Sequence, residues 1–166
     1  MNKLKRALEG SLYFIIEKEL LDMSLNKFIN FDKFYTDFDR INFVIGPNGS
    51  GKTNFLKIIA FEENIFKMEL KNIIKKDEEH ASVRIKTSID CKKHFFRGKT
   101  YPEAYTRCIL IDDGGAYLDK EAYFSFLHFL RSLNAQIILT ASCIYSDVIE
   151  TFSELFEDCK IIRLGG

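Results

Sequence analysis

The stretch that decides the fold reads "INFVIGPNGSGKTNFLKIIA" over residues 41–60. Its first five residues are typical of a buried strand, and from Lys52 onward the apolar spacing is that of a helix. Between them stand Gly46, Gly49 and Gly51, which permit backbone turns closed to other residues. Such turns let successive N–H groups converge on an anion at a helix N-terminus. The stretch therefore predicts a strand, a phosphate loop and a helix.

The phosphate loop satisfies the full G-x-x-x-x-G-K-[ST] pattern between a strand and a helix, which is the setting that this pattern requires. Lys52 should reach the β and γ phosphates and take part in catalysis, whereas Thr53 should offer its hydroxyl to Mg²⁺. The predicted cofactors are therefore ATP and Mg²⁺. The predicted nucleotide-binding residues are Gly46, Pro47, Asn48, Gly49, Ser50, Gly51, Lys52, Thr53 and Asn54.

A second motif, "CILIDDGGAYLD" over residues 108–119, supplies an acid for the magnesium site. Its short apolar run ends at Asp112, as expected for a strand buried on both faces of a parallel sheet. The second Mg²⁺ anchor of phosphate-loop enzymes is an acid at the end of a neighbouring buried strand. Thr53 and Asp112 are therefore the predicted metal ligands. The alternative for Asp112 is a turn acid or a helix cap.

The pattern of elements predicts a single α/β domain over residues 1–166. An amphipathic helix is expected over residues 1–21, a β preamble over residues 22–40, and the nucleotide-binding core over residues 41–166. From residue 109 onward the order is strand, helix, strand, helix, strand, which is typical of an α/β sheet.

Composition makes the chain globular and leaves it without net charge. Of its 166 residues 46% are hydrophobic, and 24 basic residues balance 24 acidic ones. The longest N-terminal apolar run, "LYFII", is too short for a secretion signal and far short of a membrane span. We therefore expect a cytoplasmic protein without a membrane contact.

Three stretches resemble the ABC-type ATPases of the SMC and RecF-like group. Residues 28–54 are similar to the opening of their head domain, a β hairpin that leads into a Pro-Asn-Gly loop followed by Asn, here Asn54. Residues 109–119 are similar to their second motif, and "QIILTAS" at residues 136–142 occupies the place of the strand that ends in a switch histidine. The resemblance implies an ABC/SMC-head-like mixed sheet with helices on both faces.

By position, the roles known in this family fall on three acids. Asp112 would hold Mg²⁺ through water, Asp113 would stand where a catalytic glutamate polarises the attacking water, and Asp119 would contact a second subunit. Asp113 is shorter than Glu by one C–C bond, about 1.5 Å, and Ser142 replaces the histidine. The Leu-Ser-Gly-Gly signature does not occur in the sequence, and its only glutamine, Gln136, lies on the wrong strand for the family's Q-loop. These departures indicate slow hydrolysis.

A local excess of basic residues in the middle of the sequence has two possible explanations. Residues 67–107 occupy the place of the family's long coiled-coil arms and contain eleven Lys or Arg against six Asp or Glu. A solvated helix and hairpin would explain this excess, and so would a sequence-independent DNA contact. The residues best suited to that contact are Lys92, Lys93, Arg97 and Lys99.

Together these features favour an ATP-binding, slowly ATP-hydrolysing SMC/RecF-like protein of DNA metabolism or of a defence or mobile-element system. It would act as a homodimer or with a heteromeric ATPase partner. One alternative is a non-hydrolysing ATP-dependent switch that organises a partner. A small-molecule kinase is less favoured, because forty residues precede the phosphate-loop strand and Arg84, Arg97 and Arg107 are too scattered to form a lid.

Overall fold

Residues 6, 8, 10–28, 31–60, 80–87 and 107–165 are described by the computed structural model of the chain. The elements, in chain order, are β1 (Leu12–Ile16), β2 (Leu20–Phe28), β3 (Phe31–Asp37), β4 (Ile41–Ile45), α1 (Lys52–Ile59), β5 (Ser82–Thr87), β6 (Cys108–Asp112), α2 (Lys120–Arg131), β7 (Gln136–Ala141), a 3-10 helix (Cys143–Tyr145), α3 (Ser146–Leu155) and β8 (Cys159–Arg163). The phosphate loop lies between β4 and α1, as the sequence predicts.

The strands form two sheets. The larger sheet has the order β1-β6-β7-β4-β8, in which the last four strands are parallel and β1 is an antiparallel edge. The smaller sheet has the order β3-β2-β5 and is antiparallel throughout. The predicted mixed α/β sheet is therefore confirmed, and it is consistent with a P-loop NTPase-like fold.

Side chains of the central strands alternate between two buried layers. Phe43 of β4 and Leu139 of β7 pack in the layer that α2 and α3 cover. Val44 and Ile138 pack in the opposite layer, together with α1 and the smaller sheet. Because both faces are covered, these strands are almost continuously apolar in sequence. The helices thus lie on both faces of the larger sheet.

The helix predicted for residues 1–21 is wrong over its second half. Arg6 is helical, but Leu12–Ile16 forms β1, and the β preamble begins at Leu20 rather than at residue 22. The five-residue apolar run is too short for periodicity to distinguish a helix from a strand. Pairing decides the outcome, since Leu12 lies opposite Asp112 and Ile16 opposite Cys108 along the edge of β6.

A buried glutamine joins the two sheets. Gln136 opens β7 and has no exposed surface. Its Oε1 accepts the N–H of Leu20 over 2.8 Å, and its Nε2 donates to the carbonyl oxygens of Leu20 and Asp39, each over 2.9 Å. Buried backbone groups left unpaired are costly. This side chain therefore fixes the start of β2 against the larger sheet.

Candidate nucleotide site

Three parallel strands end side by side where the phosphate loop begins. Ile45 of β4 is in register with Ala141 of β7, and Thr140 of β7 is in register with Asp112 of β6. Ligands of open α/β sheets bind at the carboxyl ends of the strands. The fold therefore brings the phosphate loop, the acid of the second motif and the end of β7 to one edge.

The phosphate loop adopts the backbone that its glycines permit. Gly49 has a φ of 81° and Gly51 a φ of 96°, both in the left-handed region that favours glycine. Gly46 is needed for close approach instead, because a Cβ there would collide with Ser50 and lie 2.8 Å from the Leu164 carbonyl oxygen. Gly51 is the N-cap of α1, whose first turn holds no acidic residue. The helix terminus therefore favours an anion.

A cavity of about 460 Å³ opens at this edge. Residues of both sequence motifs meet in it, together with the residue that follows β7. Its lining consists of Asn48, Gly49, Gly51, Lys52, Thr53, Asn54, Asp112, Asp113 and Ser142. Three further residues of the predicted loop, Gly46, Pro47 and Ser50, are not part of this lining. The structure thus brings the two predicted catalytic residues and the two predicted metal ligands into one cavity.

The two predicted metal ligands are in direct contact. Thr53 Oγ1 donates to Asp112 Oδ2 over 3.0 Å, and Thr140 Oγ1 donates to Asp112 Oδ1 over 2.8 Å. Hydroxyl and carboxylate oxygens suit Mg²⁺, which is usually bound by one or two carboxylates plus substrate phosphates. The donor set therefore fits the ion. Thr53 and Asp112 would hold it, and the bound ion would neutralise charge on the β and γ phosphates.

The Lys52 ammonium interacts with the phosphate loop and with Asp113. Its Nζ donates to the carbonyl oxygen of Gly46, which opens the phosphate loop. Burial and the negative charge of Asp112 raise the pKa of the Asp113 carboxyl, and the positive charge of Lys52 offsets part of this rise. Lys52 therefore interacts electrostatically with the loop and with the second acid of the site.

Asp113 lines the cavity and has an unusual backbone conformation. Its φ is 53°, in the left-handed region that Asp and Asn tolerate better than most non-glycine residues. Partial burial, and then the negative charge of Asp112, raise the pKa of its carboxyl. A carboxylate with a raised pKa accepts a proton more readily. Asp113 is thus chemically suited to orient or activate a water molecule.

Two other residues named by the resemblance have different surroundings. Ser142 lines the cavity, and its Oγ accepts the N–H of Ile144 over 3.4 Å. Asp119 is the N-cap of α2 and accepts the N–H of Ala122 over 2.8 Å. The structure therefore places Ser142 at the site and gives Asp119 a helix-capping contact.

Sequence reasoning missed two residues that fix the segments around the site. Thr140 contacts Asp112, and it is the only hydroxyl residue in β7, which reads QIILTA. The Tyr145 hydroxyl lies 2.8 Å from the carbonyl oxygens of both Ala116 and Leu118, and its ring stacks on Tyr123 at 3.9 Å. A hydroxyl at the end of a buried strand was a usable signal for Thr140, whereas no sequence pattern indicates the Tyr145 contacts.

Two remaining predictions concern DNA contact and membrane contact. The predicted DNA-contact residues Lys92, Lys93, Arg97 and Lys99 lie outside the described residues. Within the described part of the chain, no helix is long and apolar enough to cross a membrane.

Comparison with known proteins points to the same class of domain. Residues 41–77, which include β4, the phosphate loop and α1, match the family model described as "AAA domain, putative AbiEii toxin, Type IV TA system". The match covers less than a quarter of the chain. No curated protein matches the chain. The family match and the fold together indicate a P-loop ATPase-like nucleotide-binding domain.

Proposed function

We propose that the protein binds ATP with Mg²⁺ and hydrolyses it slowly, as a compact relative of the SMC and RecF-like ATPases. The observation that carries this proposal is the contact between Thr53 and Asp112 in a cavity that the glycine loop and Lys52 also line. Backbone N–H groups, an ammonium and oxygen ligands for a divalent ion match the charges of a magnesium triphosphate.

Slow hydrolysis follows from the groups near the predicted γ-phosphate position. Asp113 carries its carboxylate on a shorter side chain than Glu, and a misplacement of about 1 Å can cost on the order of a hundredfold in rate. Ser142 offers a hydroxyl where the resemblance implies an imidazole. The chain would therefore bind the nucleotide well and turn it over poorly on its own.

We further propose that a second subunit, either another copy or a heteromeric ATPase, completes the site. In the related ATPases a signature motif from the partner covers the γ phosphate, and this sequence lacks that motif. Tyr117 follows β6 and is 75% exposed, and Ile144 follows β7 and is 65% exposed. Both would supply apolar area to a partner at this edge.

The finer assignment to SMC and RecF-like proteins is supported by the order of elements before the phosphate loop. The resemblance implies a β hairpin that leads into this loop, and β2 and β3 pair antiparallel directly before β4. The family model named for a toxin of a type IV TA system favours a defence or mobile-element role over general DNA metabolism.

A non-hydrolysing ATP-dependent switch is the second candidate function. The observation that favours it is Ser142, which lines the cavity but has no group that titrates near neutral pH. In this case ATP would organise a partner without being consumed at a useful rate.

The proposal is tested by ATP turnover measured against protein concentration, with and without DNA, for the parent and for Asp113→Asn. We expect slow turnover, a rate that rises faster than linearly with concentration, and a slower Asp113→Asn variant. Parent turnover near 10 s⁻¹ that Asp113→Asn does not slow would contradict the placement of the catalytic acid. Tight ATP binding without turnover at any concentration would favour the switch.

A further inference from the structure

We propose that Thr140 is a positioning residue of the magnesium site, which fixes both acids at the end of β6 through one hydroxyl. The inference rests on the proposed function, because it assigns a role toward the ion that Thr53 and Asp112 would hold. Thr140 is neither a loop residue nor an acid, so neither sequence motif includes it.

The strand register brings the Thr140 hydroxyl to both acids. Thr140 of β7 lies directly opposite Asp112 of β6. Its Oγ1 donates to Asp112 Oδ1 over 2.8 Å and accepts the N–H of Asp113 over 2.9 Å. A hydroxyl has one proton to donate and lone pairs to accept with. Asp112 and Asp113, which are adjacent in sequence, are thus both hydrogen-bonded to Thr140 Oγ1.

For Asp112, the consequence is a fixed carboxylate plane. Its two oxygens are divided between two threonines, Oδ1 with Thr140 and Oδ2 with Thr53. Rotation of the carboxylate would break at least one of these bonds. Thr140 has no exposed surface, and a hydrogen bond to a charged group is stronger than a neutral one, particularly away from water. Thr140 therefore orients Asp112 from a central strand of the sheet.

For Asp113, the consequence is a fixed left-handed backbone. A residue with a φ of 53° persists only where its surroundings stabilise that conformation. The bond from the Asp113 N–H to Thr140 Oγ1 supplies such a contact. Loss of the Thr140 hydroxyl would therefore release the candidate water-orienting acid as well as the candidate metal ligand.

Substitutions separate this positioning role from packing. Thr140→Val nearly preserves the shape of the side chain and removes both hydrogen bonds, whereas Thr140→Ser keeps the hydroxyl and removes a methyl group. Thr36→Val is the matched control. Thr36 is also buried, and its Oγ1 donates to the Asp37 carbonyl oxygen on β3, where it does not line the cavity.

The experiment is calorimetric titration of ATP at a series of Mg²⁺ concentrations and in EDTA. Outer contacts of metal ligands typically contribute about 10–100-fold to metal affinity. We therefore expect Thr140→Val to need about 10–100-fold more Mg²⁺ than the parent, with an unchanged affinity in EDTA. Thr140→Ser and Thr36→Val should require the same Mg²⁺ concentration as the parent.

Two outcomes would overturn the inference alone. One is a Thr140→Val variant with the Mg²⁺ requirement of the parent. The other is an equal loss of affinity in Mg²⁺ and in EDTA, which would mean a general distortion of the site. If Thr140→Val fails to fold, the Thr140→Ser and Thr140→Ala pair makes the same comparison, and equal Mg²⁺ requirements would again overturn it. A parent protein that binds no ATP at any Mg²⁺ concentration would instead refute the proposed function together with this inference.

Discussion

The left-handed backbone of Asp113 predicts that a longer acid at this position destabilises the protein. Asp113→Glu would extend the carboxylate by about 1.5 Å, toward the reach of the catalytic glutamate that the resemblance to SMC and RecF-like ATPases implies. A φ of 53° is tolerated by Asp, whose short side chain bonds locally, but a left-handed conformation costs an ordinary residue about 1–2 kcal/mol. We expect Asp113→Glu to lower the free energy of unfolding by about 1 kcal/mol. For a chain of this size that is a fall in Tm of about 2–4 °C.

Asp113→Asn is the matched control, because Asn tolerates the same backbone and carries no charge. Burial and the charge of Asp112 raise the pKa of Asp113 above the ordinary value of 3.8. Between these two values the native state binds more protons than the unfolded state, so stability falls as pH rises through this window. This loss of stability is absent at a pH below the ordinary pKa and complete at a pH above the raised pKa. Asp113→Asn should therefore unfold at a higher temperature than the parent at neutral pH and lose this advantage in acid.

The assay is thermal unfolding by circular dichroism from acid to neutral pH, with ATP turnover measured on the same samples. Turnover of Asp113→Glu should rise if the reach of the carboxylate limits the rate, and stay slow if missing partner groups limit it. An Asp113→Glu variant as stable as the parent would refute the backbone reasoning. An Asp113→Asn variant less stable than the parent at neutral pH would refute the charge reasoning.

Three further predictions concern other residues of the chain. Gln136→Leu deprives the Leu20 N–H and carbonyl of their side-chain partner and should lower the free energy of unfolding by about 3 kcal/mol; an unchanged urea midpoint would contradict this. Tyr145→Phe keeps the ring stacking but removes the hydroxyl, and it should lower the free energy of unfolding by about 1 kcal/mol. The control Tyr117→Phe, at a 75% exposed residue, should leave Tm unchanged. Equal shifts in Tm for the two variants would contradict this prediction. We also propose a sequence-independent DNA contact through four basic residues, which should weaken as salt rises and can be measured by fluorescence anisotropy. DNA binding that is unchanged when all four are replaced by Ala would rule it out. The four cations are Lys92, Lys93, Arg97 and Lys99.

Features whose signals are contiguous in sequence could be predicted. The strand β4, the glycine turns and the start of α1 follow one another, so each supports the interpretation of the next. Asp112 was predictable because an apolar run that ends in an acid is the pattern of a buried strand at a metal site. The predicted β preamble also forms, as β2 and β3, and the predicted order of strands and helices from residue 109 onward is that of β6, α2, β7, α3 and β8.

Features that depend on pairing between distant segments could not be predicted. The run at residues 12–16 becomes a strand because β6 offers an edge, and no local pattern reports that edge. The contact of Thr140 with Asp112 depends on the register of β6 and β7. Because α2 separates these strands in the chain, the sequence does not indicate that register. The bonds from Gln136 to Leu20 span 116 positions. The backbone of Asp113 is likewise set by its contact with another strand.

Calorimetric titration of ATP with Mg²⁺ into the parent, Lys52→Ala and Lys57→Ala decides whether this cavity is a nucleotide site. Without the Lys52 ammonium, only backbone N–H groups and the bound Mg²⁺ would offset the β and γ phosphate charges. Lys57 lies in the last turn of the same helix, so it is a control for loss of one positive charge. Contacts between charged groups are worth about 1.5–3 kcal/mol, so we expect Lys52→Ala to bind about 10–100-fold more weakly and Lys57→Ala to bind like the parent. Equal affinities for the parent and Lys52→Ala would contradict the assignment of the site.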